Sequence, residues 1–243
     1  MSFNYSPKII TDGLVLYLDA ANIKSYPTTG TTWNDLSKNS YNGALTNGPT
    51  FNSSKFGSIV FDGINDYVNY GTAGEQLVRN ATTITMNFAC FCTGFGNPSG
   101  SFSWSPLVCI DRFNLGNSYR KMAVYLSRFG LTESITCEFF DGFGGTKSVT
   151  NARTILNTFY IFTTTIDSIN TRLYVNGTMV DEKDGITLNS NPLTADFTIG
   201  SRLNTSYNGY FKGNMFNVMF YNRALTPQEV LQNYNTIKSR LGL

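Results

Sequence analysis

From Leu14 to Tyr221 the chain repeats one pattern, a few alternating apolar and polar residues followed by a turn signal. Thr82–Cys92 carries it most fully. Ile84, Met86, Phe88, Cys90 and Cys92 share one face of an extended strand, and Thr83, Thr85, Asn87, Ala89 and Phe91 share the other. Further strands are expected at Leu14–Asp19, Ser58–Phe61, Tyr67–Tyr70, Leu107–Asp111, Lys121–Leu126, Ile135–Phe140, Phe197–Gly200 and Phe211–Tyr221. Phe159–Asp167 and Thr171–Asn176 form a hairpin, and Asn176-Gly177 turns the chain into Thr178–Glu182 with a type I′ signal. Two stretches read as loops. Residues 20–57 are long, polar and hold Trp33, and Gly94–Ser105 is rich in Gly, Ser and Pro and holds Trp104. Strands at this spacing, without βαβ alternation, predict an all-β sandwich. Neither an internal repeat nor a linker interrupts it, so residues 1–243 read as one domain.

One segment breaks the pattern. Thr226-Pro227-Gln228-Glu229 combines an N-cap Thr, a Pro at the first helical position and a Glu three residues after the cap. Val230, Tyr234, Ile237 and Leu241 follow at helical spacing, so a single helix over 226–241 is expected to lay one face on the sandwich. Residues 1–12 form an arm ahead of the first strand.

Composition narrows the function. Asn, Thr and Ser number 27, 29 and 21 of 243 residues, whereas charged residues are 14 % and the net charge is +2. That balance leaves no basic footprint for nucleic acid. No apolar run approaches the roughly 20 residues of a membrane span. The segment MSFNYSPKIITDG lacks the basic-then-apolar order of a signal peptide, which predicts synthesis in the cytoplasm. His is absent, so imidazole ligands and His-based triads are excluded. Cys90, Cys92, Cys109 and Cys137 lack zinc-knuckle or thioredoxin spacing and read as free thiols filling an inward strand face.

Order and wording together carry a resemblance. GLVLYLDAAN, TTWNDLSKNSYNGALTNGPTF and IVFDGINDYVNY, then RLYVNGTMV, FTIGSR and GYFKGNMFNVMFYNRALTPQEVLQNY, resemble laminin-G-like, concanavalin A-like domains from Gly13 to Leu243. The resemblance implies a two-sheet antiparallel jelly roll with a C-terminal α-helix. The phrases LDAAN, TTWNDLS, ALTNGPTF, YNRAL and LQNYN are similar to domains in virion proteins of tailed bacteriophages. That likeness implies a virion surface component, a capsid decoration or fibre-like part, without enzymatic activity, attached to other capsid or tail proteins. The alternative is a calcium-dependent lectin or adhesin for host-surface glycans.

Two constellations could carry such binding. In Asp62-Gly63-Ile64-Asn65-Asp66, the side chains of Asp62, Asn65 and Asp66 offer oxygens for Ca²⁺, yet the same residues are ordinary turn formers. The resembled family often places an acidic pair in its closing strand after a Gly. Counted from Gly213, this chain has Phe216 and Asn217 there. Trp33, Trp104, Tyr207 and Tyr210 lie in or beside Asn-, Ser- and Gly-rich segments and could stack on sugar rings, or anchor their loops on the core. Asp181-Glu182-Lys183-Asp184 is the densest acidic cluster, but it does not match the Glu-x-Asp-x-x-Glu strand of the superfold's hydrolases and reads as a solvated hairpin end.

Overall fold

The computed structural model describes residues 8–77, 81–96, 102–111, 122–140, 146–153, 155–184, 196–202 and 209–241. In chain order these form β1 (Leu14–Asp19), β2 (Thr32–Trp33), β3 (Gly43–Thr46), β4 (Thr50–Asn52), β5 (Ser58–Asp62), β6 (Tyr67–Asn69), β7 (Ile84–Phe95), β8 (Phe102–Asp111) and β9 (Met122–Phe129). Then come β10 (Thr132–Phe140), β11 (Thr146–Ala152), β12 (Phe159–Ile166), β13 (Asn170–Val175), β14 (Thr178–Asp184), β15 (Asp196–Ile199), β16 (Ser201–Arg202), β17 (Gly209–Tyr221) and α1 (Pro227–Arg240). The first sheet runs β14-β13-β12-β7-β17-β5-β4, with β1 and β16 also paired to β17. The second runs β11-β10-β9-β8-β15-β6-β3-β2. The pairings are antiparallel, so the architecture is the expected jelly roll.

The inward rows of both sheets make one core. Met86, Phe88 and Cys90 of β7 and Val218 and Phe220 of β17 meet Val124 and Leu126 of β9 and Ile135 and Cys137 of β10. Phe88 and Phe220 pack edge to face, with ring centroids 6.0 Å apart. The turn between β13 and β14 is as expected: Asn176 and Gly177 both have positive φ, 50° and 78°.

Several expectations change. The 20–57 stretch is not strandless, because β2, β3 and β4 lie in it, and β11 joins the sheet without the apolar alternation that would announce it. Their side chains need little apolar content because each is a short or edge strand. Trp104 lies within β8, not in a loop. A register shift between Pro106 and Val108 gives Pro106 a bulged position, where its missing N–H is tolerated, and the Ser-rich start of β8 pairs with β9. The same bulge reverses the alternation. Cys109 therefore leaves the main core and joins Ala123 and Tyr125 on the outer side of the second sheet. All four cysteines are buried. Burial raises Cys90 and Cys137, and raises Cys92 to about 11, so they stay protonated.

Helix α1 covers the outer side of the first sheet. The capping box forms in full: Thr226 Oγ1 accepts from the Glu229 N–H, and the Glu229 carboxylate accepts from the Thr226 N–H at 2.8 Å. Val230, Ile237 and Leu241 pack on Ala89, Ile161, Met219 and Tyr221. Buried Asn233 adds a polar tie, accepting from the Ile10 N–H at 2.8 Å and donating to Tyr221 Oη at 2.9 Å. This secures the chain at Ile10, just ahead of β1, as well as the helix. Under the helix C-terminus, Arg240 pairs with the buried Asp19 carboxylate, which also accepts from Tyr17 Oη at 2.9 Å. No helix among the described residues is long and apolar enough to cross a membrane.

Candidate functional site

The outer side of the second sheet differs in chemistry. Its outward residues come from adjacent strands: Trp104 and Cys109 of β8, Ala123, Tyr125 and Ser127 of β9, Ser134, Thr136 and Glu138 of β10, Thr150 of β11 and Thr198 of β15. Cross-strand hydroxyl pairs cover much of it. Ser127 and Ser134 share a hydrogen bond of 2.9 Å, and so do Thr136 and Thr150. Beside them the rings of Trp104 and Tyr125 lie 4.2 Å apart, tilted by 37°. The Arg202 guanidinium sits over the indole at 5.0 Å. Tyr125 Oη donates to Glu138 Oε1 at 2.6 Å. Burial raises the Tyr125 phenol, and the Glu138 charge and hydrogen bond add to it, so the phenol remains a donor at all ordinary pH. The result is a rigid aromatic pair with a cation and a carboxylate at its borders, set in a field of hydroxyls.

The residues expected to bind sugar do not all meet there. Trp33 is fully buried in the core and cannot stack on a ligand; a two-residue strand folds it inward, where it anchors its segment. Tyr207 lies outside the described residues. Trp104 is half-buried on the outer face, and Tyr210 is half-buried next to Gly209, where a Cβ would come within 3.3 Å of Pro106 and 3.5 Å of the Trp104 side chain. Burial raises the Tyr210 phenol, with Tyr67 nearby. Tyr125, Glu138 and Arg202 escaped the sequence reading. Tyr125 was legible only as an outward residue of a strand apolar on both sides, Met122-Ala123-Val124-Tyr125.

The Asp62–Asp66 turn uses its carboxylates internally. Asp62 Oδ1 accepts from the Ile64 N–H at 2.7 Å, and Asp66 Oδ2 accepts from the Asp62 N–H at 3.0 Å. Asn65 offers its carbonyl to Asn47 Nδ2 at 2.8 Å. Burial raises the Asp66 carboxyl, and the Asp62 charge adds to this. Phe216 and Asn217 lie away from this turn, brought to the outer side of the first sheet by a bulge in β17, where Phe216 packs on Phe159 at 5.1 Å. Among the described residues, no three or more Cys, Asp or Glu side chains gather as a metal site.

The acidic cluster is part of an edge strand, not a hairpin end. Asp181 accepts from the Thr150 N–H at 2.8 Å, and Glu182 pairs with Arg172 at 2.9 Å. The first contact ties the edges of the two sheets together, and the second lies within the first sheet. Glu133 is likewise committed, to Arg128 at 2.6 Å and to the Leu156 N–H at 3.1 Å.

A laminin-G-type family model, described as the concanavalin A-like lectin/glucanases superfamily, matches residues 97–231, more than half of the chain. No curated protein sequence matches. Solved structures do. Domain 4 of AbnA, a GH43 extracellular arabinanase from Geobacillus stearothermophilus, in complex with arabinotriose, has a TM-score of 0.65 at 12 % identity, over 93 % of this chain and 100 % of that one. The botulinum neurotoxin serotype G binding domain gives 0.62 at 15 %, over 93 % and 51 %. Trypanosoma rangeli sialidase gives 0.64 at 16 %, over 94 % and 33 %. The chain thus spans the whole of the first, half of the second and a third of the last. At such identities the likeness is one of fold. Two antiparallel sheets, one closing helix and the family match agree: the chain belongs to the concanavalin A-like lectin/glucanases superfamily, in its laminin-G-like form.

Proposed function

We propose that this protein is a non-enzymatic carbohydrate-binding module that recognises its ligand on the outer face of the second sheet. The observation that carries the reading is the Trp104–Tyr125 pair at 4.2 Å, bordered by Arg202 and Glu138. The half-buried Trp104 ring, backed by the buried Tyr125 ring, meets the C–H face of a sugar, and a few fixed polar groups choose among its hydroxyls. Because strands and cross-strand bonds hold these side chains in place, little ordering entropy is lost on binding. The arabinotriose-bound arabinanase domain, which this chain covers end to end, lends further support.

Carboxylate usage supports the non-enzymatic part. Retaining and inverting glycosidases need two carboxyl groups facing a bond, about 5–9.5 Å apart. Here Glu133, Asp181, Glu182 and Asp19 are each bound to an Arg or a main-chain N–H. Glu138 faces a phenol.

The likeness of its sequence to tailed-phage virion domains supports a reading in which this module is made in the host cytoplasm and sits on a virion, attached to capsid or tail proteins while it meets host glycans. A net charge of +2 limits repulsion between many neighbouring copies. Three measurements test the proposal. A glycan array should retain wild-type protein on at least one sugar and lose Trp104→Ala. Mass spectrometry of purified virions should find the protein in many copies. Incubation with the bound polysaccharide should release no reducing sugar. Release of reducing sugar abolished by one Asp or Glu substitution would establish an enzyme instead.

Calcium-dependent adhesion is the second reading, and one observation favours it: a cation would relieve the buried Asp66 carboxyl beside Asp62. The main-chain bonds of both carboxylates favour a purely structural turn. On the structural account, EDTA leaves the melting temperature unchanged. A drop that Asp66→Ala abolishes would establish the calcium site.

A further inference from the structure

A cavity of about 350 Å³ opens where the start of β1, the start of β7 and the end of β17 converge, bordered by the 35–41 segment. Its size falls at the lower end of small-molecule sites, about 300–1,000 Å³. Three side-chain amides (Asn39, Gln76 and Asn222), two hydroxyls (Thr82 and Thr83) and the Tyr41 ring line it. Val15, Leu77 and Ala81 supply apolar surface. The lining residues carry no charge.

Its wall is held in place before any ligand arrives. The Asp35 carboxylate accepts from the main-chain N–H groups of Tyr17 at 2.9 Å, Ser37 at 2.8 Å and Tyr41 at 3.0 Å. Asn39 Nδ2 donates to the Val15 carbonyl at 2.9 Å. These bonds tie the 35–41 segment to β1. On the facing wall, the Thr83 hydroxyl donates to the Asn222 carbonyl at 3.4 Å.

From this lining we infer that the cavity is a second saccharide site, specific for a neutral sugar residue and separate from the Trp104–Tyr125 face. The Gln76 and Asn222 amides each present a donor and an acceptor in one plane, which matches a pair of adjacent sugar hydroxyls, and Asn39, whose Nδ2 is held by the Val15 carbonyl, adds its Oδ1 as an acceptor. Val15, Leu77 and the Tyr41 ring suit the ring's C–H surface. A charged ligand would lose hydration here without gaining a counter-charge, so sialic acid and uronic acids are disfavoured. The inference goes beyond the function proposed above, since either site can bind without the other. A module with two sites gains avidity on a glycan-coated surface when both are engaged.

Side-chain amide NMR of the full chain tests it. The probes are methyl glycosides of glucose, galactose, mannose and N-acetylglucosamine, with N-acetylneuraminic acid as the charged comparison and glycerol as the non-specific one. At least one neutral glycoside should shift the amide signals of Asn39, Gln76 and Asn222 saturably, and the acid and glycerol should not. Gln76→Ala and Thr82→Val, both at exposed positions, should weaken that response about tenfold or more, the size of one lost hydrogen bond. Trp104→Ala should leave it intact. The inference is overturned if no neutral glycoside moves these signals, if glycerol moves them equally, or if the variants bind as wild type. Loss of array binding in Trp104→Ala with a silent cavity would leave the sheet-face proposal standing alone.

Discussion

The two sheets present opposite outer faces. On the first, outward residues are large and apolar where α1, Ile9 and Ile10 lie: Ile161, Tyr174, Met219 and Tyr221. On the second, the outward rows are Ser127, Ser134, Thr136, Thr150 and Glu138, broken by the small cluster of Cys109, Ala123, Tyr125 and Trp104. The contrast separates stability from recognition. A strand apolar on both sides must be covered on both sides, and α1 meets that need for β17. An outward hydroxyl ladder satisfies its polar groups across the strands, so the half-buried Trp104 among them stands out as a candidate for binding.

Removing α1, residues 227–243, should break the contrast most severely. Val230, Ile237 and Leu241 would each forfeit about 1.5–3 kcal/mol of burial, and the outer face of the first sheet would be laid bare. Size-exclusion chromatography should show aggregates; a soluble monomer of unchanged melting temperature would make the helix an appendage. Arg240→Ala comes next. It leaves the Asp19 carboxylate buried without its cation, which should cost about 3 kcal/mol in urea unfolding. Adding Asp19→Asn to it should recover part of that loss.

A milder test uses the helix start. Thr226→Ala removes the N-cap and should cost about 0.5–2 kcal/mol. Arg223, bound to Glu229 at 2.6 Å, holds that carboxyl down at about 2. Its folded pKa is therefore depressed. The stabilisation is complete above the ordinary glutamate range and is lost as pH falls from about 4.5 towards 2. Urea unfolding between those values should show a slope that Glu229→Gln reduces. On the second sheet, Thr136→Val removes one hydroxyl, while Thr150 Oγ1 keeps its bond to the Ile135 carbonyl at 3.1 Å. The change should stay within about 0.5 kcal/mol.

The fold was legible because alternation repeats over so many strands, and the helix because capping box, Pro and periodic apolar residues coincide. Positions displaced by bulges were not. Cys109 looks inward by simple alternation from Leu107, and Trp104 looks like loop because Ser and Pro surround it; the shift at Pro106–Val108 decides both. Of the residues that the proposed site uses, only Trp104 stood out in the sequence. Glu138 and Arg202 join it through cross-strand neighbours on β9 and β8, which local sequence does not encode.

The chain's two tryptophans allow the most direct test of the central claim. Trp33 is sealed in the core, whereas Trp104 lies on the second sheet's outer face. Tryptophan emission should be followed while the tightest glycan from the array is titrated into the wild type, Trp33→Phe and Trp104→Phe. The account predicts a saturable change that Trp33→Phe retains and Trp104→Phe loses. A change that survives in Trp104→Phe, with unaltered affinity, would contradict it.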